Sequence, residues 1–199
     1  MLFGVGGRAG PLSILEIGCG TQPVRVLPGE RYWGLEIDDA ERERAIALHP
    51  ESTRTFLSST RDLENLPAGS IDLIVGIFVF HFPFPKEDFA SLMRVLSEEG
   101  AIVFNLLQVD VLNIPEWLTD SIWARARNRL SAAFLSDRRS DHFPLALRDQ
   151  GFKLEMLLSE SRLGIGEEPY VRSGRKVRKE HTIYVAWREK NEGQRALVR

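Results

Sequence analysis

One cysteine, Cys19, stands in the 199 residues, so no disulfide can form within the chain and a reducing, cytoplasmic setting is expected. Charge of one sign is lacking as well. The 26 basic and 28 acidic residues leave a formal net charge of -2, and no overall field draws the protein to nucleic acid or to an anionic membrane. Long apolar runs are also missing. The longest, near Ile71 to Phe84, is broken by Asp72, His81 and Pro83, short of the roughly 18 apolar residues a spanning helix needs. The opening MLFGVGGRAGPLSILEIG has no basic start followed by an unbroken apolar stretch, which argues against a signal peptide. Neither an internal repeat nor a low-complexity segment occurs. With 43% hydrophobic and 27% charged residues, the composition is that of a globular domain. One domain over residues 1–190 is expected, with a frayed polar tail at 191–199.

What is present is an alternation of strand-length apolar runs with helical patterns, the sign of βαβ units around a parallel sheet. Leu12 to Ile17, Tyr32 to Ile37, Thr53 to Leu57 and Ile71 to Phe78 read as the first four strands. The last of these, IDLIVGIF, is nearly all apolar, as a central strand covered on both faces must be. Asp39 to Leu48 reads as a helix that buries Ala40, Ile46, Ala47 and Leu48, closed by Pro50. From Lys86 to Leu96 the spacing of Phe89, Leu92, Met93 and Leu96 follows one helix face. Ala101 to Leu107 follows as a fifth strand. Residues 113–140 form a helical insertion, centred on Pro115 to Leu135. Asp141 to Gln150 is a further helix, stopped by Gly151. Phe152 to Leu158 and Thr182 to Trp187 complete seven strands, joined by a long basic connection from Ser159 to Glu180.

Two features carry chemistry. Leu15-Glu16-Ile17-Gly18-Cys19-Gly20 is a strand running into a Gly-x-Gly turn, where absent side chains let backbone N–H groups approach a ligand. The next strand ends Gly34-Leu35-Glu36-Ile37-Asp38, placing a carboxylate about 20 positions on, where it can accept both hydroxyls of a ribose. A pyrophosphate-binding site would want a third glycine, and Pro23 stands there; Pro28 and Gly29 also shorten any helix after the turn. A nucleoside ligand without phosphate tolerates that loss.

Four segments together resemble the class I S-adenosylmethionine-dependent methyltransferases, in particular the methyltransferase type 11 group: LEIGCG at 15–20, WGLEID at 33–38, RDLENLPAGSIDLIVG at 61–76 and FASLMRVLSEEGAIVF at 89–104. The resemblance covers roughly residues 12–107. It implies a three-layer Rossmann-like α/β fold. A seven-stranded, mostly parallel sheet of order 3-2-1-4-5-7-6 would have its last strand antiparallel and helices on both faces. It implies S-adenosylmethionine as cofactor and no metal. Gly18 and Gly20 would line the methionine part, with Glu16 near its amino group. Glu36 would hold the ribose, with Asp38 a weaker candidate. Asp62 would accept from the adenine amino group beside the backbone of Leu63, and Gly76 and Ile77 would face the methionine end. Cys19, Gln22 and Ile37 complete the cofactor-lining positions.

The chain departs from the family pattern at Gln22, where a further glycine is usual, and at Ser97-Glu98-Glu99-Gly100, where a lysine-proline-glycine-glycine turn is usual. It also has about a dozen residues before the first strand, where covering helices are usual. His81 is the candidate general base for an acceptor that must lose a proton; packing among Phe80, Phe82 and Phe84 is the alternative role. The acceptor is expected to be a small molecule, since Phe80-His81-Phe82-Pro83 stands where amino-directed nucleic-acid methyltransferases carry Asp/Asn-Pro-Pro-aromatic. Trp117, Trp123 and Phe134 of the 113–140 insertion either cover that acceptor or join the core. The expected activity is methyl transfer by in-line displacement, in a monomer or homodimer without membrane attachment. A non-catalytic binding protein of the same fold is the second reading, and a nicotinamide-dependent oxidoreductase the third.

Overall fold

The computed structural model describes residues 11–77, 79–80, 85–111, 142–165 and 176–188. Seven strands form one sheet of order β3-β2-β1-β4-β5-β7-β6, the order expected. They are β1 (Ser13–Ile17), β2 (Arg31–Leu35), β3 (Arg54–Leu57), β4 (Ile71–Gly76), β5 (Leu96–Val111), β6 (Phe152–Ile165) and β7 (Lys176–Arg188). Strands β1 to β5 run parallel, and β7 is antiparallel to both β5 and β6. Among the described residues no helix is long and apolar enough to cross a membrane.

Side-chain alternation sorts the sheet into two faces. Leu15, Ile17, Leu35, Ile74, Ile102 and Phe104 join the larger core cluster. Ile14, Tyr32 and Val75 join a smaller one with Cys19. Helix α2 (Lys86–Val95) covers the larger face through Leu92 and Val95. Helix α3 (His142–Asp149) adds Phe143 and Leu147. Phe143 stacks on Phe80 at 3.7 Å between ring centroids and meets Phe104 edge-on at 5.3 Å, so aromatic packing ties α3 to the end of β4. Gly151, at φ +79°, ends α3, its N–H donating to the Arg148 carbonyl.

Helix α1 (Asp39–Leu48) starts where Asp38 accepts from the Glu41 N–H at 3.0 Å, with acidic Asp39 and Glu41 in the first turn. Its burial departs from expectation. Ala45 is the residue that enters the core, while Ala40, Ile46, Ala47 and Leu48 are exposed. The reason is position: α1 rests on β3, the strand at the sheet's margin, and finds little surface to cover.

The last three strands also run longer than expected. β5 extends to Val111, whereas β4 ends opposite Phe104. Residues 105–111 therefore reach about 23 Å further, at ~3.3 Å per residue, and among the described residues they pair with β7 alone. The expected Ser159–Glu180 connection shrinks to residues 166–175, because 159–165 and 176–180 are strand. At its start β5 jumps register, from Ile71↔Leu96 to Leu73↔Ala101, so Ser97–Gly100 bulge from the ladder. The expected helix over Pro115–Leu135, with Trp117, Trp123 and Phe134, and the tail at 191–199 lie outside the described residues.

Candidate functional site

The strand order reverses between β1 and β4, since the chain builds outward from β1 through β2 and β3, then returns to add β4 and β5. Ligands of open α/β sheets bind at such a reversal, beyond the carboxyl ends of the strands. Four segments leave the sheet at that edge: residues 18–22, 36–38, 58–66, and 77 with 79–80.

The glycine turn is tied to the end of β2. The Gly18 and Cys19 N–H groups donate to the Leu35 carbonyl at 2.7 and 3.3 Å. The Gly20 N–H donates to Glu36 Oε2 at 2.9 Å. Gly18 and Gly20 both hold left-handed backbone, at φ +66° and +50°, which favours glycine. Their surroundings differ. A Cβ on Gly18 would lie 2.5 Å from Val79 Cγ2, whereas one on Gly20 would meet nothing within 4 Å. Gly20 thus borders open space, while Val79 caps Gly18 from the end of β4. Thr21 bears on α1 through its carbonyl, 3.3 Å from His49 Nε2.

Glu36 is half-buried at the open edge. Its Oε1 accepts from the Asp38 N–H at 3.0 Å, so each oxygen holds one backbone donor. An ionised carboxylate has about four lone-pair sites, which leaves one per oxygen for a diol. Arg42 steadies the segment by donating to the Glu36 carbonyl at 3.1 Å and to Asp39 at 2.6 Å. Ile37 and Gln22 are exposed beside it.

Asp62 lies on a 3-10 turn at Thr60–Asn65. Its Oδ2 accepts from the Ser58 hydroxyl at 2.8 Å, the Ser58 N–H at 2.7 Å and the Ser59 N–H at 3.0 Å. The two Ser58 bonds hold its carboxyl below the usual range, opposed by burial and helped further by Ser59 and the charge of Arg42. The turn is fixed on its other side as well. Leu63 is buried in the larger core, Arg94 donates to the Leu63 and Leu66 carbonyls at 2.5 and 2.9 Å, and Thr60 bonds Asp88 of α2. Gly76 is buried with the Phe80 ring against it, and Ile77 is half-buried after it.

Glu16 is not on the open edge. It is 5% exposed, and its Oε2 accepts from the Tyr32 hydroxyl at 2.6 Å and the Val24 N–H at 2.8 Å. Burial pushes its carboxyl above the usual value, opposed by those two bonds and by the charge of Arg54. Alternation along β1 explains this. Leu15 and Ile17 face the larger core, so Glu16 faces the smaller one with Ile14 and Tyr32. Cys19 is buried beside it, and burial first of all pushes its thiol up to about 11, which keeps it protonated near neutrality. Among the sequence-derived positions, Gly18, Gly20, Glu36, Asp62, Gly76 and Ile77 collect on one edge. His81 lies outside the described residues. The sequence reading missed Val79, Arg42 and Tyr32. For Asp62's role as a loop anchor a signal existed: Ser59-x-x-Asp62 has the spacing of a capping box.

The chain matches the family described as "Methyltransferase domain" over residues 15–104. No curated protein matches it by sequence. Solved structures similar to it include a precorrin-6y C5,15-methyltransferase from Geobacter metallireducens (16% identity, 89% of this chain and 80% of that one, TM-score 0.52). Others are the YcgJ protein of Bacillus subtilis (14%, 90% and 93%, TM-score 0.55) and an arsenic(III) S-adenosylmethionine methyltransferase from Chlamydomonas reinhardtii (18%, 89% and 64%, TM-score 0.55). At these identities the likeness is one of fold.

Proposed function

We propose that this chain, whose residues 15–104 match the methyltransferase-domain family, is an S-adenosylmethionine-dependent methyltransferase that transfers a methyl group in line to a small-molecule acceptor. The residues at the sheet edge fit that cofactor. The open side of Gly20 takes a group that any Cβ would crowd, and Glu36 keeps an acceptor site on each oxygen. When bound, S-adenosylmethionine supplies a sulfonium methyl group open to displacement.

Gly18 and Gly20 border the methionine part in this reading, and Glu36 takes the ribose hydroxyls. Asp62 and the Leu63 backbone stand at the adenine, and Gly76 and Ile77 at the methionine end. Cys19, Gln22 and Ile37 are flanking positions. Glu16, inside the sheet, acts on the turn and not on the ligand's amino group. The chain's contribution to rate is positioning: it holds donor and acceptor at attack distance in a line. His81 is kept as the candidate base for an acceptor that loses a proton. A small acceptor is supported by Phe80-His81-Phe82-Pro83 after β4, which lacks the motif of amino-directed nucleic-acid enzymes. It is also supported by the precorrin and arsenic named for two proteins of the same fold.

The observation that carries the reading is the Gly20–Glu36 contact at the strand-order reversal. Calorimetric titration with S-adenosylmethionine and with NAD tests it. The first binds and the second does not. Glu36→Ala weakens the first by roughly tenfold to a hundredfold, the range for losing charge-assisted hydrogen bonds. Unchanged affinity in that variant would show the ribose position to be misassigned.

A further inference from the structure

The glycine turn is not held in the way a sheet-and-helix site ordinarily holds one. Residues 18–30 contain no helix, so no helix end follows β1 to fix the turn from its far side. What lies beneath it is polar and dry. Tyr32 on β2 is fully buried and donates at 2.6 Å to Glu16 Oε2 on β1. The same oxygen accepts the Val24 N–H, which anchors the irregular segment just past the turn. The Tyr32 ring runs over Gly34. A Cβ there would lie 2.8 Å from both the Tyr32 hydroxyl and Cys19 Sγ, so the phenol and the thiol inside the turn share that space. From the other side the Arg54 guanidinium of β3 covers the ring, 4.9 Å from its centroid, and Phe56 meets it edge-on.

We infer that Tyr32 is a positioning residue for the methionine end of the cofactor site. Its hydroxyl sets Glu16, which holds Val24, and also bears on the Cys19 thiol, so that the turn is fixed from below in place of the absent helix. The inference rests on the reading that this turn borders the methionine part. Its physical basis is the strength of a short hydroxyl–carboxylate bond away from water. Remove the hydroxyl and a buried carboxylate loses a donor it cannot replace with solvent. The carboxylate must then reorganise, and Val24 and the turn move with it.

Tyr32→Phe keeps the ring, its Phe56 contact and its Arg54 cover, and removes only the hydroxyl. Two probes separate positioning from packing. S-adenosylhomocysteine carries the amino-acid end, whereas 5′-methylthioadenosine keeps the nucleoside and sulfur but lacks that end. In Tyr32→Phe the affinity for S-adenosylhomocysteine falls about tenfold, and that for 5′-methylthioadenosine stays within about twofold. Equal losses for both probes, or no loss for either, would overturn the inference and leave Tyr32 as packing. Should Tyr32→Phe not fold, Gly34→Ala, whose Cβ would push both hydroxyl and thiol from the space they share, gives the same selective loss, and an unselective loss there overturns the inference equally. A wild-type protein that binds neither probe removes the cofactor reading itself, a result distinct from either.

Discussion

Gly18→Ala and Gly20→Ala sit two residues apart in one turn, yet the structure assigns them different consequences. Both backbones are left-handed, at φ +66° and +50°, which costs an L-residue about 1–2 kcal/mol. At Gly20 nothing lies within 4 Å of the added methyl, so that strain is the whole effect on stability. At Gly18 the methyl would stand 2.5 Å from Val79 Cγ2, and overpacking adds about 1–3 kcal/mol. Gly18→Ala therefore loses about 2–5 kcal/mol, and Gly20→Ala about 1–2, in urea unfolding followed by circular dichroism. Val79→Ala separates the two causes. In that background the cost of Gly18→Ala drops to the backbone term and matches Gly20→Ala. Cofactor affinity should run in the opposite order. The Gly20 methyl enters the open side of the turn and weakens S-adenosylmethionine binding although the fold is barely disturbed. Equal stability losses for the two variants, or a Gly18→Ala cost unchanged by Val79→Ala, would refute the reasoning.

Two carboxylates should leave opposite marks on the pH dependence of stability. Asp62 has its folded value lowered, so its contribution is present above its ordinary value of 3.8 and is lost as pH falls through the lower folded value. Asp62→Asn is accordingly less stable than wild type at pH 7, and the deficit closes toward pH 3, read from urea midpoints. Glu16 has its folded value raised, so its contribution is fully present below its ordinary value of 4.5 and is lost as pH rises through the raised one. Glu16→Gln removes that decline and flattens the profile above pH 4.5; an unchanged slope would show that the buried carboxyl is not its source. Cys19, with its thiol pushed up to about 11, should alkylate at pH 8 roughly a hundredfold more slowly in the native protein than in urea. Comparable rates would contradict its burial.

The individual strands were legible because buried parallel strands announce themselves in composition: IDLIVG and SILEI need no partner to be recognised, while their order came with the family resemblance. The far ends of β5, β6 and β7 were not legible. Gln108, Asp110 and Ser161 are poor strand residues on local preference, and they are strand because Gln108 lies opposite Glu180, which lies opposite Ser161. The first of these pairings spans more than 50 positions of chain, and neither leaves a periodic trace. The misjudged burial of α1 came from reading the helix by its own residues, without asking how little of the sheet lies beyond β3, the margin strand.

The site divides along this line. Gly18, Gly20 and Glu36 could be singled out because each is local, a strand end with a residue type suited to the task proposed for it. Tyr32 was hidden because its meaning depends on register. Ile14 pairs with Tyr32 and Glu16 with Gly34, and only that offset brings the phenol, which lies over Gly34 of its own strand, onto the carboxylate. Glu16 was placed at the ligand by motif and lies beneath the turn by alternation. A glycine turn can be recognised from its own residues, but what holds it in place here comes from three strands. Glu16 comes from β1, Tyr32 with the Leu35 carbonyl from β2, and Arg54 from β3. A chain with the same LEIGCG segment but a bulkier residue at position 34 could not seat that phenol. It would have to support its turn by other means, such as the helix this one lacks.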